Sequence, residues 1–242
     1  MTTARPAFYA ARPGGWRDWW TILHPPYTAW HLSYVVIGAT LAPRTDAVRL
    51  VATLLAFFLA VGVAAHALDE LHGRPLHTDI PSGVLVGVAV VALGGALVLG
   101  VSGVHRTGAG LLVFMAVGPL LVLGYNLEIF GGIVHSDLGF AAAWGAFPVL
   151  TGYFVQAQRI DLTAIFAASA ALALSLAQRS LSTQARLVRR RAAYVDGTMT
   201  MHDGSVHAID DRELLAPIER ALRWMSAAMV LLAVALVVAR VG

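Results

Sequence analysis

The segment HALDELHGRPLHTDIPSG, residues 66–83, places histidine and acidic side chains at the end of a long apolar run. On a helix, His66, Asp69 and Glu70 occupy positions i, i+3 and i+4 and therefore share one face. A histidine and two carboxylates that converge at low dielectric repel or neutralise one another unless a cation joins them. Carboxylate oxygens suit magnesium, whereas added imidazoles such as that of His72 favour iron, manganese or zinc. The segment therefore predicts a cation-binding site.

A second polar cluster lies in GYNLEIFGGIVHSDLGF, residues 124–140. Asn126 and Glu128 end one apolar run, and His135 and Asp137 precede the next. Asp137 or Ser136 is well placed to cap a helix, whereas Glu128 has no such structural explanation. The arginine distribution puts this cluster on the same side of the membrane as the first. The two clusters together give six candidate metal ligands: His66, Asp69, Glu70, His72, Glu128 and His135.

The third cluster is LAQRSLSTQARLVRRRAAY, in which an apolar run ends in polar residues. Gln178, Arg179, Gln184 and Arg186 are its candidate ligand-binding side chains. Guanidinium groups match the geometry of phosphate and carboxylate, so this stretch predicts an anion site. The triple arginine at 189–191 is more typical of a contact with lipid headgroups.

A purely structural interpretation of the first segment stays open at the level of sequence. His66 would then hydrogen-bond across helices, and Asp69 would pair with Arg74. Ionisable groups near membrane helices are costly, however, so each of them is by default a functional candidate.

The composition indicates what kind of protein positions these residues. Hydrophobic residues make up 58% of the 242-residue chain and charged residues 13%, and the mean hydropathy is +0.71. Several apolar runs reach the roughly 18 to 20 residues that a membrane-spanning helix needs. The chain has no cysteine, which excludes disulfides and thiolate metal sites. Its pI near 9.7 is ordinary for a membrane protein with basic inner loops and indicates no nucleic-acid partner.

The apolar runs predict an all-α, polytopic membrane bundle of about seven transmembrane helices. Residues 1–26 form an N-terminal interfacial segment rich in tryptophan, and residues 27–242 form a single transmembrane domain. A polar cytoplasmic loop is predicted at about 183–215, with a hairpin or lid at DGTMTMHDGS. The arginine bias places the N-terminus in the cytoplasm. The plasma (inner) membrane is the expected location. The predicted helices are 27–43, 47–71, 81–103, 108–130, 138–157, 161–180 and 220–240.

Three stretches, in this order along the chain, resemble the UbiA superfamily of intramembrane prenyltransferases, and most of all its menaquinone (naphthoate-prenylating) branch. LHPPYTAWHLSYVVIGATLA resembles the opening helix of the family, and RPLHTDIPSG resembles the Arg-Pro and Pro-Ser-Gly signature after the first aspartate motif. WGAFPVLTGYFVQ, residues 144–156, resembles the Gly-x-x-Pro-x-x-x-x-Tyr helix of that branch. The resemblance runs from about residue 20 to residue 190.

The resemblance implies a helical bundle around a central cavity, in which a prenyl group passes from its diphosphate to a lipophilic acceptor. It implies that Asp69 and Glu70 are catalytic and hold Mg²⁺ together with the diphosphate. The rings of Tyr125, Tyr153 and Trp144 would stabilise a carbocation. Membrane lipid, and a partner subunit or a second copy of the chain, are the expected partners. The substrate-binding residues that it implies are Arg74, Tyr125, Asn126, Tyr153, Gln178, Arg179, Gln184 and Arg186.

The chain departs from this family at the residues that bind the metals. The first motif keeps only Asp69 and Glu70, with His66 near the place of an expected Asn-Asp pair. The second motif has no aspartate in AQRSLSTQARL, where Arg179 and Arg186 would replace the missing metal site. One alternative is a metal-dependent membrane enzyme, with iron, manganese or zinc, that acts on a lipophilic small molecule on the same scaffold. The other is a non-catalytic membrane protein that binds lipid or a partner.

Overall fold

The computed structural model describes residues 6–129 and 131–241, which form eight helices and one β-hairpin. Most of the helices follow the apolar runs, because a backbone in lipid must satisfy its own hydrogen bonds. In chain order the elements are α1 (Trp16–Ile22), α2 (Pro25–Leu41), α3 (Ala47–Leu71), α4 (Ser82–Thr107), α5 (Leu111–Asn126), α6 (Asp137–Ala157), α7 (Leu162–Arg191), β1 (Gly197–Thr200), β2 (Val206–Ile209) and α8 (Asp211–Val241).

Within the described residues five helices, α3, α4, α6, α7 and α8, are long and apolar enough to cross a membrane. This finding supports the predicted all-α membrane bundle. The prediction of seven spans is not confirmed, because α2 has 17 residues and α5 has 16. At 1.5 Å per residue, a helix of about 16 residues is roughly 24 Å long, which is less than the roughly 30 Å hydrocarbon core of a bilayer.

The region predicted as a polar loop at 183–215 is mostly regular structure. α7 continues to Arg191, and α8 begins at Asp211, nine residues before the predicted apolar run at 220–240. Between them β1 and β2 form the predicted hairpin, in which Gly197 is paired with Ile209. A hydropathy pattern detects the part of a helix that contacts lipid, so it missed the polar ends of α7 and α8.

α2 packs against both α6 and α8. Gly38 of α2 lies against the backbone of Val149 in α6, and Gly152 of α6 lies against the backbone of Val35 in α2. Small residues at such crossings let two helix backbones approach closely, as is usual for helix pairs in lipid. Because α2 and α6 begin at the same end of the bundle, this contact sets the positions of the side chains at that end.

Gly152→Ala is expected to destabilise the protein, because a Cβ atom at this position would overlap the carbonyl group of Val35. Overpacking of a tight interior typically costs about 1–3 kcal/mol. The measurement is thermal unfolding in a mild detergent. Gly87→Ala is the matched control, because nothing lies within 4 Å of a Cβ atom at Gly87. Equal melting temperatures for the two variants would show that the crossing of α2 and α6 is looser than described.

Candidate functional site

A cavity of about 540 Å³, which we call the head cavity, lies at the end of the bundle where α3, α5 and α7 finish. Residues of all three polar sequence clusters line it, among them Asp69, His135 and Arg186. The three clusters therefore lie at one end of the bundle, as predicted. Residues 6–9 of the N-terminal segment complete the wall.

Each of three π-helical stretches contributes to the wall of the head cavity. They are Phe58–Ala65 in α3, Ala142–Ala146 in α6 and Leu187–Arg191 in α7. A π-helical turn holds an extra residue, and such turns concentrate at functional sites. Val61, Trp144 and the arginines of the third stretch reach the cavity from these turns.

Five arginines of α7 form one side of the head cavity, which we call the arginine wall. Two of them are paired with carboxylates. Arg179 donates to Asp137 at 2.9 Å, and Arg189 pairs with Glu219. Arg179 also lies over the ring of Phe140, 5.1 Å from its centroid. The members of the arginine wall are Arg179, Arg186, Arg189, Arg190 and Arg191.

Arg186 and Arg190 are held by neutral groups. Arg186 donates to the hydroxyl of Thr183 at 3.0 Å, and Arg190 donates to the carbonyl oxygen of Pro6 at 3.2 Å. No carboxylate among the described residues forms an ion pair with either guanidinium. Arg179 and Arg190 both repel Arg186. Cations that repel one another in a partly buried site attract an anion.

α3 supplies one carboxylate and one imidazole to the same cavity, from Asp69 and His66. Asp69 is near enough to Arg186 and Arg190 for electrostatic attraction, without a direct ion pair in the described part of the chain. The Nδ1 atom of His66 lies 3.1 Å from the carbonyl oxygen of Gly62. Two side chains of the first cluster therefore face the arginine wall, and only one of them is acidic.

Glu70 does not line the head cavity, although it is adjacent to Asp69 in sequence. Its side chain is fully buried and accepts hydrogen bonds from the backbone N–H groups of Leu76 (3.0 Å) and Thr78 (2.9 Å) and from the Thr78 hydroxyl (2.9 Å). Positions i+3 and i+4 of a helix point about 100° apart, so Asp69 faces the cavity while Glu70 faces the loop after α3. The predicted catalytic and metal-binding roles of Glu70 are therefore replaced by a structural role.

Arg74 also forms hydrogen bonds within this loop. Its guanidinium donates to the carbonyl oxygen of Ile80 at 2.6 Å and to the hydroxyl of Ser82 at 2.7 Å. The structure therefore supports neither the predicted substrate-binding role of Arg74 nor the alternative ion pair with Asp69. The Arg-Pro and Pro-Ser-Gly stretch connects the end of α3 to the start of α4.

Four further candidates lie outside the head cavity. His72 and Gln184 are exposed, and Glu128 is exposed in a left-handed turn (φ 49°), 3.9 Å from His135. Tyr153 is buried near the other end of the bundle, where its hydroxyl donates at 2.7 Å to the carboxylate that caps α7. The predicted site residues that do line the head cavity are His66, Asp69, Tyr125, Asn126, His135, Trp144, Gln178, Arg179 and Arg186.

The described residues contain no group of three or more histidine, aspartate and glutamate side chains placed to hold a metal ion. Of the six predicted ligands, His66, Asp69 and His135 line the head cavity, and His135 is stacked on Tyr125 with ring centroids 4.5 Å apart. An iron, manganese or zinc centre is therefore not formed by these side chains. The family that the chain resembles holds magnesium with two aspartate-rich motifs. Here the first motif gives the cavity only one carboxylate, that of Asp69, so these residues do not fit such a magnesium site.

Two buried polar atoms of the head cavity lack a hydrogen-bond partner among the described residues. They are Nε2 of His24 and Oε1 of Gln178. Buried polar atoms are nearly always paired, so each marks a position for a ligand or water. Sequence reasoning missed His24, together with Tyr9 and Arg190, as site residues. A histidine directly before two prolines gives no signal of this role, which depends on the contact with α3 in the folded protein.

A second cavity of about 380 Å³, which we call the tail cavity, adjoins the head cavity. The two cavities share Val61 and Trp144 as wall residues. The tail cavity is bounded by α3, α4, α5 and α6 and is mostly apolar, with Arg49 and Arg106 at its far end. An amphiphile with an anionic head and a long apolar tail matches this pair of cavities.

Comparisons with protein-family models, with curated proteins and with solved structures found no match. The function must therefore be inferred from the residues and their geometry. The head cavity, the tail cavity and the charges between them provide the basis for that inference.

Glu70→Gln is expected to destabilise the protein, because an amide offers one acceptor oxygen and turns a donor towards a backbone N–H group. The loss should be about 1–3 kcal/mol, the cost of an unsatisfied buried polar group. Thermal unfolding measures it, and Asp79→Asn is the matched control because the Asp79 side chain is exposed. A Glu70→Gln protein as stable as the wild type would contradict the structural role.

Burial, and then the neighbouring His66, hold the pKa of His24 well below its ordinary value of 6.5. The native ring stays neutral where the unfolded ring takes up a proton, so stability falls as the pH drops below about 6.5. Melting temperatures measured from about pH 8 to about pH 5.5 should show this fall. His24→Phe keeps a stacked ring and should reduce the pH dependence. An unchanged pH dependence in that variant would assign the effect to other groups.

Proposed function

We propose that the protein is an integral-membrane enzyme of the UbiA type that binds a prenyl diphosphate and transfers or processes its prenyl group. The diphosphate would occupy the head cavity, against the arginine wall, and the prenyl chain would occupy the tail cavity. The shared wall residues Val61 and Trp144 support this arrangement, because they place a cationic cavity next to an apolar one.

The observation that carries the proposal is the excess positive charge of the head cavity. Five arginines and three carboxylates, those of Asp69, Asp137 and Glu219, line it, which leaves an excess of two positive charges. Asp137 and Glu219 are already engaged with members of the arginine wall. Arg186 and Arg190 are therefore the cations best placed to bind the oxygens of a diphosphate, which guanidinium groups hold in bidentate fashion.

Guanidinium groups would take over part of the role that magnesium has in the family that the chain resembles. There, two aspartate motifs hold the metal ions that neutralise the diphosphate. Here Asp69 is the cavity carboxylate of the first motif, and Gln178, Arg179 and Arg186 line the cavity in the region of the second. The proposed reaction therefore assigns no step to Mg²⁺, iron, manganese or zinc.

The proposed reaction begins with cleavage of the bond between prenyl C1 and the diphosphate oxygen, and the electron pair leaves with the diphosphate. The arginine wall stabilises the developing negative charge, because its donors are already oriented in a site of low dielectric. The rings of Tyr125, Phe140 and Trp144 line the same cavity and would stabilise the allylic cation through cation–π contacts. Trp144 belongs to both cavities and lies where head and tail of the substrate would meet.

The proposed orientation places the head cavity at the cytoplasmic face of the plasma (inner) membrane. The arginine wall lies at this end of the bundle, and so does Arg223, whose guanidinium is 5.1 Å from the ring centroid of Phe8. An excess of arginine marks the cytoplasmic side of membrane proteins. A charged prenyl diphosphate would then enter the head cavity from the cytoplasm.

The other two interpretations have weaker support. A metal enzyme with histidine and carboxylate ligands needs three converging donors, which the described residues do not provide. A non-catalytic lipid-binding protein would use the same two cavities, so a measurement of turnover is needed to separate it from an enzyme.

Arg186→Ala is expected to weaken binding of geranylgeranyl diphosphate about tenfold or more, because hydrogen bonds to charged groups contribute about 1.5–3 kcal/mol each. Arg179→Ala should have a smaller effect, since Asp137 already neutralises Arg179. Binding is measured by titration calorimetry in mild detergent, and turnover is measured by release of diphosphate. Arg212→Ala is the matched control, because Arg212 is exposed and lies outside the head cavity.

Three results would argue against parts of the proposal. If inorganic diphosphate bound as tightly as the prenyl ester, the tail cavity would have no role in binding. Binding without turnover would favour a non-catalytic lipid-binding protein. Wild-type protein that binds neither compound would contradict the proposed function as a whole.

A further inference from the structure

His24 and His66 form a stacked pair on the wall of the head cavity, which the diphosphate chemistry described above does not use. Their rings are nearly parallel, at 14°, and their centroids are 4.3 Å apart. Neither ring makes an ion pair with a carboxylate among the described residues. Titratable rings that are buried beside a reaction site are candidates for proton transfer.

The hydrogen bond of His66 determines which of its ring nitrogens carries the proton. Nδ1 lies 3.1 Å from the carbonyl oxygen of Gly62, one turn earlier in α3. Because a carbonyl oxygen only accepts, Nδ1 donates its proton to Gly62. In the neutral ring the lone pair is therefore on Nε2, the basic nitrogen of the imidazole.

His24 and Tyr9 hold this imidazole from its other side. The Tyr9 hydroxyl lies 2.7 Å from Nδ1 of His24, and the His24 ring in turn covers the face of the His66 ring. The stacked partner is uncharged, since burial holds the pKa of His24 well below its ordinary value. The contacts from Tyr9 to His24 to His66 thus fix the orientation of the basic nitrogen.

The charged and titratable neighbours of the pair come from three helices. His31 of α2 interacts electrostatically with both rings, and Arg186 and Arg190 of α7 act on His24. Asp69 follows His66 by one turn in α3. A diphosphate bound to the two arginines would bring negative charge beside the pair and stabilise an imidazolium formed there.

We infer that His66 is the catalytic base of this site and that His24 and Tyr9 are its positioning residues. The inference rests on the proposed function, because it requires a prenyl cation in the head cavity. As the bond from C1 to the diphosphate oxygen breaks, its electron pair leaves with the diphosphate. The oxygen of a hydroxyl-bearing acceptor forms the new bond to C1, and its proton passes to Nε2 of His66. With water as the acceptor, the products are the prenyl alcohol and diphosphate.

The first test compares His66→Gln with His72→Gln, a matched control because His72 is exposed and lies outside the head cavity. The substrates are geranylgeranyl diphosphate and water. His66→Gln is expected to lower the rate of alcohol and diphosphate formation about 100-fold or more, within the usual range for a general base. The affinity for geranylgeranyl diphosphate should change less than about threefold, because the arginine wall holds the diphosphate.

The second test separates proton transfer from packing. Imidazole added to His66→Ala should restore turnover, whereas pyrazole, which has the same size and is a much weaker base, should not. In protein labelled with ¹⁵N-histidine, His66 should give the signals of a neutral ring protonated at Nδ1, absent from His66→Gln. Tyr9→Phe removes the hydrogen bond to His24, and His24→Ala removes the stacked ring. Both variants should shift these signals and reduce turnover, because the His66 ring is then no longer held in one orientation.

Each outcome decides between the base role and the proposed function. Full turnover in His66→Gln, equal rescue by imidazole and pyrazole, or a proton on Nε2 instead of Nδ1 would overturn the base role and leave the proposed function in place. Wild-type protein that neither binds nor converts geranylgeranyl diphosphate would overturn both. Loss of turnover in His66→Gln with retained affinity, together with rescue by imidazole alone, would support both.

Discussion

Repulsion among the arginines at the polar end of an apolar bundle shapes the whole of the candidate site. A guanidinium group cannot lose its proton in a protein, so the fold must supply compensating groups. Asp137 and Glu219 neutralise two of the neighbours, and Asp69 attracts Arg186 and Arg190 from α3. The remaining positive charge would be balanced by the diphosphate that we propose binds in the head cavity. The adjoining tail cavity is mostly apolar, so the proposed ligand would also have apolar surface to bury there.

Hydropathy locates the apolar part of each long helix, and charge predicts that three distant clusters lie at one end of the bundle. The same information failed where direction within one turn matters. His66, Asp69 and Glu70 lie on a common face by spacing, yet that face is about 100° wide. Asp69 at one edge faces the arginines, and Glu70 at the other edge holds the loop after α3. Sequence spacing alone does not show which neighbouring groups the side chain at each edge of this helix face will contact.

The residues that sequence reasoning missed depend on contacts between distant parts of the chain. His24 acquires its place by stacking on His66, and Tyr9 by its bond to His24. The stretch RPLHTDIPSG illustrates the opposite case. It resembles a signature of an enzyme family, but its Arg74 donates to a carbonyl oxygen and a hydroxyl group of its own loop. A motif of this kind therefore describes how the chain turns, and the chemistry depends on the side chains that the turn brings into the cavity.

The π-helical stretch Phe58–Ala65 lies between two halves of α3 that line different cavities. Residues from Val48 to Val61 line the tail cavity, whereas His66 and Asp69 line the head cavity. Each residue gained or lost in a helix rotates everything beyond it by about 100°. Deleting one residue from this apolar stretch would leave its hydropathy almost unchanged and turn both polar side chains away from the arginines. The stretch should therefore tolerate exchange of one apolar residue for another far better than any change in its length. Its length sets the direction in which His66 and Asp69 point, and it is therefore as much a part of the site as these polar residues.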